Sequence, residues 1–236
     1  VAESEREKAI QAQQVAEKAR DAEAEQRAKA ETQLQTANAV SEFVKGIFTA
    51  VQPGELKGVD DKDKDLMKLV LGKGSEKIDE LKDQPEVEAA IRHVLGHTYL
   101  ALGFHDDAMS HFEKALAIRV EISDPEYSFA NIYNSIGSAY DATGESKKAL
   151  SYFEKALDSA LKTLEPDHPA VAGTYNNIGM AHRKKGEHDK AIDYYEKALA
   201  IRLKSLGAEH AYVASSYHNL GEAYSNKGEH DKAIDY

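Results

Sequence analysis

His93 and His97 stand four residues apart, a spacing that places both imidazoles on one helix face and could supply two ligands to a metal ion. A zinc site needs a third and a fourth ligand, and the sequence nominates none at a telling spacing. Several of the ten histidines recur in phase instead, His105, His188 and His230 at one position and His168 and His210 at another. Recurrence of that kind reads as packing or surface rather than as ligation. Gly72-Lys73-Gly74-Ser75 has the residue types of a phosphate loop, but it lacks the glycine five residues before the lysine and no strand precedes it. Carboxylates are abundant and scattered over solvated faces, with no pair marked for general acid–base work. Cysteine is absent, which removes thiolate metal sites, disulfides and a cysteine nucleophile. Nothing looks like an enzyme active site, and no metal or cofactor is implied.

A different chemistry recurs along the chain. His93, Asn134, Asn176 and His218 hold one position, a polar rung at intervals of 41 or 42 residues. One turn further come His97, Ser138, Met180 and Glu222, then Leu100, Asp141, Arg183 and Ser225, while Asn177 and Asn219 adjoin the rungs. A carboxamide both donates and accepts, so a stack of asparagines can hold the main chain of an extended peptide. The same amides could also bond across to neighbouring helices and only hold the stack together.

The rungs belong to a repeat. The string GEHDKAIDY occurs at Gly186–Tyr194 and again at Gly228–Tyr236, 42 residues apart. Asn177-Ile178-Gly179 matches Asn219-Leu220-Gly221 at that interval, Ser135-Ile136-Gly137 lies 42 earlier, and Val94-Leu95-Gly96 lies 41 before that. Within each unit apolar residues recur at helical spacing, as in Tyr175, Ile178, Gly179 and His182, then Ala191, Tyr195, Ala198 and Leu199. Each unit therefore reads as two helices joined at a glycine: Gly103, Gly144, Gly186 and Gly228. Small residues mark close approach at Gly96, Gly137, Gly179 and Gly221 on the first helix and at Ala108, Ala149, Ala191 and Ala233 on the second. Tyr99, Tyr140 and Tyr224, with Phe112, Phe153 and Tyr195, fill the space between.

This pattern of a leucine-glycine pair, a tyrosine, then alanine, phenylalanine and alanine resembles the tetratricopeptide repeat. The usual closing proline is replaced by Val120, Leu161 and Leu203, and the second helix runs on, as in the kinesin-light-chain-like repeats of about 42 residues. The resemblance implies an all-α fold, a right-handed superhelical solenoid of antiparallel helix pairs, over 86–236. Its units are about 86–125, 126–167, 168–209 and 210–236, the last cut short. It also implies a concave groove lined by the first helices. There, asparagines contact peptide backbone, a role it carries onto Asn134 and Asn176 and further onto Asn177 and Asn219, with His93, His218 and Arg183 beside them. The basic carboxylate clamp of the chaperone-binding branch is not evident, since Arg183 and Lys184 are the only basic residues among those inner positions.

Residues 1–52 are rich in alanine, glutamate, lysine and glutamine and read as one long charged helix. It is either a solvated linker or, through Ala9, Ala12, Ala16 and Ala19, a coiled-coil seam. Its apolar end, Val40, Phe43, Val44, Ile47, Phe48 and Val51, is expected to dock onto the repeats. Residues 53–85 read as a loop, from Pro53-Gly54 through 58–65, and a partial leading helix that Gly72 and Gly74 weaken. The arrangement resembles the region beyond the kinase domain in multidomain bacterial serine/threonine kinases, with no kinase motif present. That resemblance implies an upstream membrane tether as the alternative to a plain cytoplasmic location. The net charge is -11, which repels phosphate backbones and argues against nucleic acid and against an anionic membrane surface. The expected partner is a protein or peptide. Self-association through the N-terminal helix or the uncapped C-terminal end, and a regulatory arm of a larger signalling enzyme, stand as alternatives.

Overall fold

The computed structural model describes residues 2–50, 64–81, 83–122 and 126–236. They fall into two compact units, residues 1–81 and 82–236, and the first contains helix α1 (Ala2–Ala50) and helix α2 (Lys64–Lys77), which runs into a 3-10 turn at Ile78–Leu81. Helix α1 carries exposed ion pairs one turn apart, with Arg27 on Glu23 at 2.7 Å and Lys29 on Glu25 at 2.6 Å, a spacing that favours the helix. Ile10, Val15 and Leu34 are exposed, and so are Ala12, Ala16 and Ala19, which is the pattern of a solvated helix. Helix α1 packs on α2 within this unit; the side chains of Ile47 and Phe48, all of Val51, and the loop at 53–63 lie outside the described residues. Helix α2 continues through Gly72 and Gly74 without a break. Burial of Val70, Leu71 and Ile78 offsets the roughly 1 kcal/mol that each glycine costs a helix interior.

The second unit is a stack of helical hairpins. The first helices are α3 (Pro85–Ala101), α5 (Glu126–Ala142), α7 (Pro169–Lys184) and α9 (Ala211–Lys227). They alternate with α4 (His105–Glu121), α6 (Ser146–Thr163), α8 (His188–Leu206) and α10 (His230–Asp235). At each hairpin corner the glycine has a left-handed backbone, from φ 77° at Gly186 to 85° at Gly228. The N–H of the next residue reaches back five, as Glu187 does to the His182 carbonyl at 3.0 Å and Glu145 to Tyr140 at 2.9 Å. This six-to-one bond closes the helix and aims the chain back along it. Helices α7 and α9 open alike: His168 and His210 each accept, at Nδ1, the N–H two residues on at 3.1 Å. These repeat-phase histidines are helix caps.

Inside each of the first three hairpins an aromatic ring packs against a glycine. Phe112, Phe153 and Tyr195 are at most 1% exposed. A methyl group at Gly137 would stand 2.5 Å from the Phe153 ring, and one at Gly179 2.7 Å from the Tyr195 ring. The position before that ring stacks on the first helix: Tyr99 on His111, Tyr140 on Tyr152, His182 on Tyr194 and Tyr224 on Tyr236, with centroids 5.2–5.5 Å apart. Between hairpins the core is shared. Ala149, Leu150 and Phe153 of α6 cluster with Ile178 and Ala181 of α7, and Ile192, Tyr195 and Leu199 of α8 with Val213 and Leu220 of α9. A hairpin alone would leave that face wet, so neighbours stabilise one another.

Gly137→Ala should lower stability by about 1–2 kcal/mol despite alanine's better helix propensity, because the Phe153 ring must shift in a close-packed core. Gly173, also helical, has nothing within 4 Å of an added methyl, and Gly173→Ala should stabilise by up to about 1 kcal/mol. Urea unfolding followed by circular dichroism checks both signs.

Candidate functional site

The recurrent rungs form a continuous set of side-chain bonds between successive first helices. His93 on α3 meets Ser135 on α5 at 2.8 Å through Nε2. The equivalent residues of the next pair are Asn134 and Asn177, where Asn177 Nδ2 donates to Asn134 Oδ1 at 3.3 Å. In the third pair Asn219 Nδ2 donates to Asn176 Oδ1 at 2.8 Å. Each rung thus ties one unit to the next, as the second reading of the asparagine stack requires. None of the four asparagines is fully used. Asn134 donates one further N–H to Thr174 Oγ1 at 2.9 Å, while the carbonyls of Asn177 and Asn219 and the amino group of Asn176 have no partner among the described residues.

Residues outside the recurrent rungs set the orientation of these amides. Arg202 on α8 is 8% exposed and donates to Ser216 Oγ at 2.7 Å, to the Tyr212 carbonyl at 3.1 Å and to Asn176 Oδ1 at 3.5 Å. A guanidinium only donates, so the atom of Asn176 that faces it must be the carbonyl oxygen. Thr174 and Ser216 are the other additions. Both stand five residues before the helical glycine, where units one and two carry Ile91 and Ile132. A polar residue in an otherwise apolar slot was the sequence signal that would have found them.

At the N-terminal end His93 and His97 do converge, but on a serine. Both Nε2 atoms reach Ser135 Oγ, at 2.8 and 2.9 Å, while that hydroxyl donates to the Asn131 carbonyl at 2.9 Å. With its one hydrogen committed there, the hydroxyl accepts from both imidazoles, which are neutral. Burial holds His93 down to about 4, with the neighbouring His97 and Arg119 adding to the effect. Burial likewise lowers His97 and takes His111 down to about 4. Among the described residues no three His, Asp or Glu side chains come together to hold a metal ion. Toward the C-terminal ends of the first helices the wall is ionic. Lys184 pairs with Asp141 at 2.7 Å and Arg183 with Glu222 at 3.4 Å, and His218, largely exposed, stands 3.9 Å from Glu222. No described helix is long and apolar enough to cross a membrane.

Stacked hairpins that expose one wall of fixed polar groups define a helical-repeat scaffold for protein interaction. The chain belongs to the tetratricopeptide repeat family, whose pattern matches residues 87–162, 128–204 and 170–236. No curated protein matches it. Among solved structures it is similar to BtubC (BKLC) from P. vanneervenii, 24% identical over 86% of this chain and 85% of that one, with TM-score 0.64. A Podosopora anserina putative kinesin light chain with nearly identical TPR-like repeats is 21% identical over 85% of this chain and 90% of its own, with TM-score 0.62. A Rap protein complexed with Competence and Sporulation Factor is 20% identical over 70% of this chain and 45% of its own, with TM-score 0.61. At such identities the likeness is one of fold. Helices α6 and α8 run past Leu161 and Leu203 only to Thr163 and Leu206, less than one turn rather than the roughly two turns expected beyond those sites.

The neutral histidines make the first inter-unit junction sensitive to acid. Because the folded values lie below the ordinary 6.5, their contribution is complete above about pH 6.5 and is lost as pH falls toward 4. Between pH 7 and 4.5, His93 alone should cost on the order of 2 kcal/mol. His93→Asn, which installs the side chain found at 134 and 176, should flatten that part of the dependence in urea titrations across pH.

Proposed function

We propose that the wall formed by α3, α5, α7 and α9 binds an extended segment of a partner protein. Asn134, Asn176, Asn177 and Asn219 hold the partner's main chain, and His93, His218 and Arg183 flank it. The observation that carries this reading is the locked amide of Asn176. Asn219 and Arg202 both occupy its carbonyl oxygen, which turns its two N–H groups away from the stack with no acceptor among the described residues. A half-buried donor pair held in one orientation suits a peptide carbonyl, and its orientation is set before binding, so little ordering entropy is lost. The unused carbonyls of Asn177 and Asn219 are acceptors for a partner N–H on the same wall. The likeness to a Rap protein complexed with a factor, and to kinesin-light-chain repeats, lends support at the level of the fold.

The test is capture of a partner from lysate on the immobilised chain, with Asn134→Ala plus Asn176→Ala as the comparison. Loss of two net hydrogen bonds predicts roughly 10- to 30-fold weaker retention, with helicity unchanged by circular dichroism. Equal retention by the double variant would remove the site from this wall.

A further inference from the structure

Arg202 is a buried cation without a counter-charge. It starts behind the wall on α8 and ends between two first helices, because its Nη1 donates to Asn176 on α7 and to Tyr212 and Ser216 on α9. All three acceptors are neutral oxygens, and no carboxylate among the described residues pairs with the guanidinium. A guanidinium keeps its charge when buried, and holding that charge largely away from water destabilises the folded chain. The repeat does not require it. The first unit has Arg119 at this position, but the second has Ala160, packed in an apolar cluster with Ala130 and Val171. Half of the guanidinium is unused. Nε and Nη2 make no hydrogen bond among the described residues, and neither is among the enclosed unpaired atoms, so both touch solvent. These two nitrogens form one flat edge, which matches the two oxygens of a carboxylate. There is open space on the same wall. Gly173 lies one turn before Asn176 on one face of α7, and nothing stands within 4 Å of a methyl group added there. The Tyr212 ring, 5.5 Å from the guanidinium, is itself largely exposed.

We propose that the free edge of Arg202 takes the carboxylate of one aspartate or glutamate side chain of the bound segment, with Nε and Nη2 donating to its two oxygens. The inference rests on the binding wall proposed above, since the bond from Arg202 to Asn176 Oδ1 is also what turns the Asn176 amino group toward a partner's main chain. One residue of the segment would then be held twice, by its backbone at Asn176 and by its side chain at Arg202. A carboxylate suits the site better than a phosphate, because it brings one negative charge to one cation, where a phosphate brings nearly two. A neutral side chain would leave the buried charge uncompensated. The net charge of -11 repels a run of acidic residues at a distance, so the segment carries a single carboxylate here. The other ionic groups of the wall are already matched, Asp141 by Lys184 and Glu222 by Arg183, which leaves Arg202 as the cation to be satisfied.

Random peptides displayed on phage and selected on the full chain supply the probe, and affinities of enriched peptides are then measured by fluorescence anisotropy. Enriched peptides should share one aspartate or glutamate. Replacing it by asparagine or glutamine should weaken binding to the wild-type chain roughly 10- to 30-fold. On Arg202→Gln the same replacement should change binding less than about twofold. Comparing the two peptides on each chain separates the carboxylate contact from any loosening of Asn176 that the variant causes. If circular dichroism shows that Arg202→Gln does not fold, Arg202→Lys serves the same comparison. It keeps the charge without the flat edge and should shrink the effect of the replacement. Peptides that are sensitive to Asn176→Ala but share no acidic residue would overturn this inference and leave the binding wall standing. So would an equal loss on wild type and on the Arg202 variant. If no peptide sensitive to Asn176→Ala is enriched, both fall.

Discussion

An aromatic ring seated on a glycine is the contact on which the repeat stack depends. Phe112 on Gly96, Phe153 on Gly137 and Tyr195 on Gly179 each bring two helices closer than any side chain at the glycine would allow. Full burial of each ring contributes on the order of 1.5–3 kcal/mol, more than the roughly 1 kcal/mol that a mid-helix glycine costs. The close approach also aligns the second contact of the hairpin, the stacked pair one residue earlier, such as Tyr140 on Tyr152 or His182 on Tyr194. Lysines close these pairs from outside: Lys148 lies 4.9 Å over Tyr140 and Lys197 4.8 Å over Tyr194.

Hairpins built this way leave one apolar face each, and stacking covers it. The clusters that join α6 to α7 and α8 to α9 supply most of the adhesion, but such contacts are tolerant of small slips. Register comes from the polar side chains at the edge of the core. His93 with Ser135, Asn134 with Asn177, and Asn176 with Asn219 repeat one geometry with two chemistries, imidazole to hydroxyl and amide to amide. Buried polar groups must find partners, so a unit displaced by one helical residue would lose its rung. Thr174, Ser216 and Arg202 extend this network only in the third and fourth units, where isoleucine has given way to hydroxyl side chains.

The same network explains how a structural residue can serve recognition. An asparagine has more hydrogen-bonding positions than one neighbour can fill. Bonding part of the amide within the stack fixes the direction of what is left, as Arg202 does for Asn176. The wall therefore differs in character along its length. Neutral imidazoles mark the first unit and half-used amides the later ones, while the Asp141–Lys184 and Arg183–Glu222 ion pairs lie toward the C-terminal ends of the helices that carry those amides.

Sequence alone determined the repeat, its 42-residue period, the hairpin corners at Gly103, Gly144, Gly186 and Gly228, and the rung positions. These follow from local backbone sterics and from spacing along a helix, both of which are properties of short stretches of chain. Helix α2, by contrast, runs through Gly72 and Gly74 because packing of Val70, Leu71 and Ile78 overrides propensity. Whether Asn134 and Asn176 tie the stack was decided by tertiary structure, since their partners Asn177 and Asn219 stand 43 residues away on another helix. So was the meeting of His93 and His97 on Ser135. A side chain's partners depend on how neighbouring helices are placed across the core, and spacing within one helix carries no record of that distance.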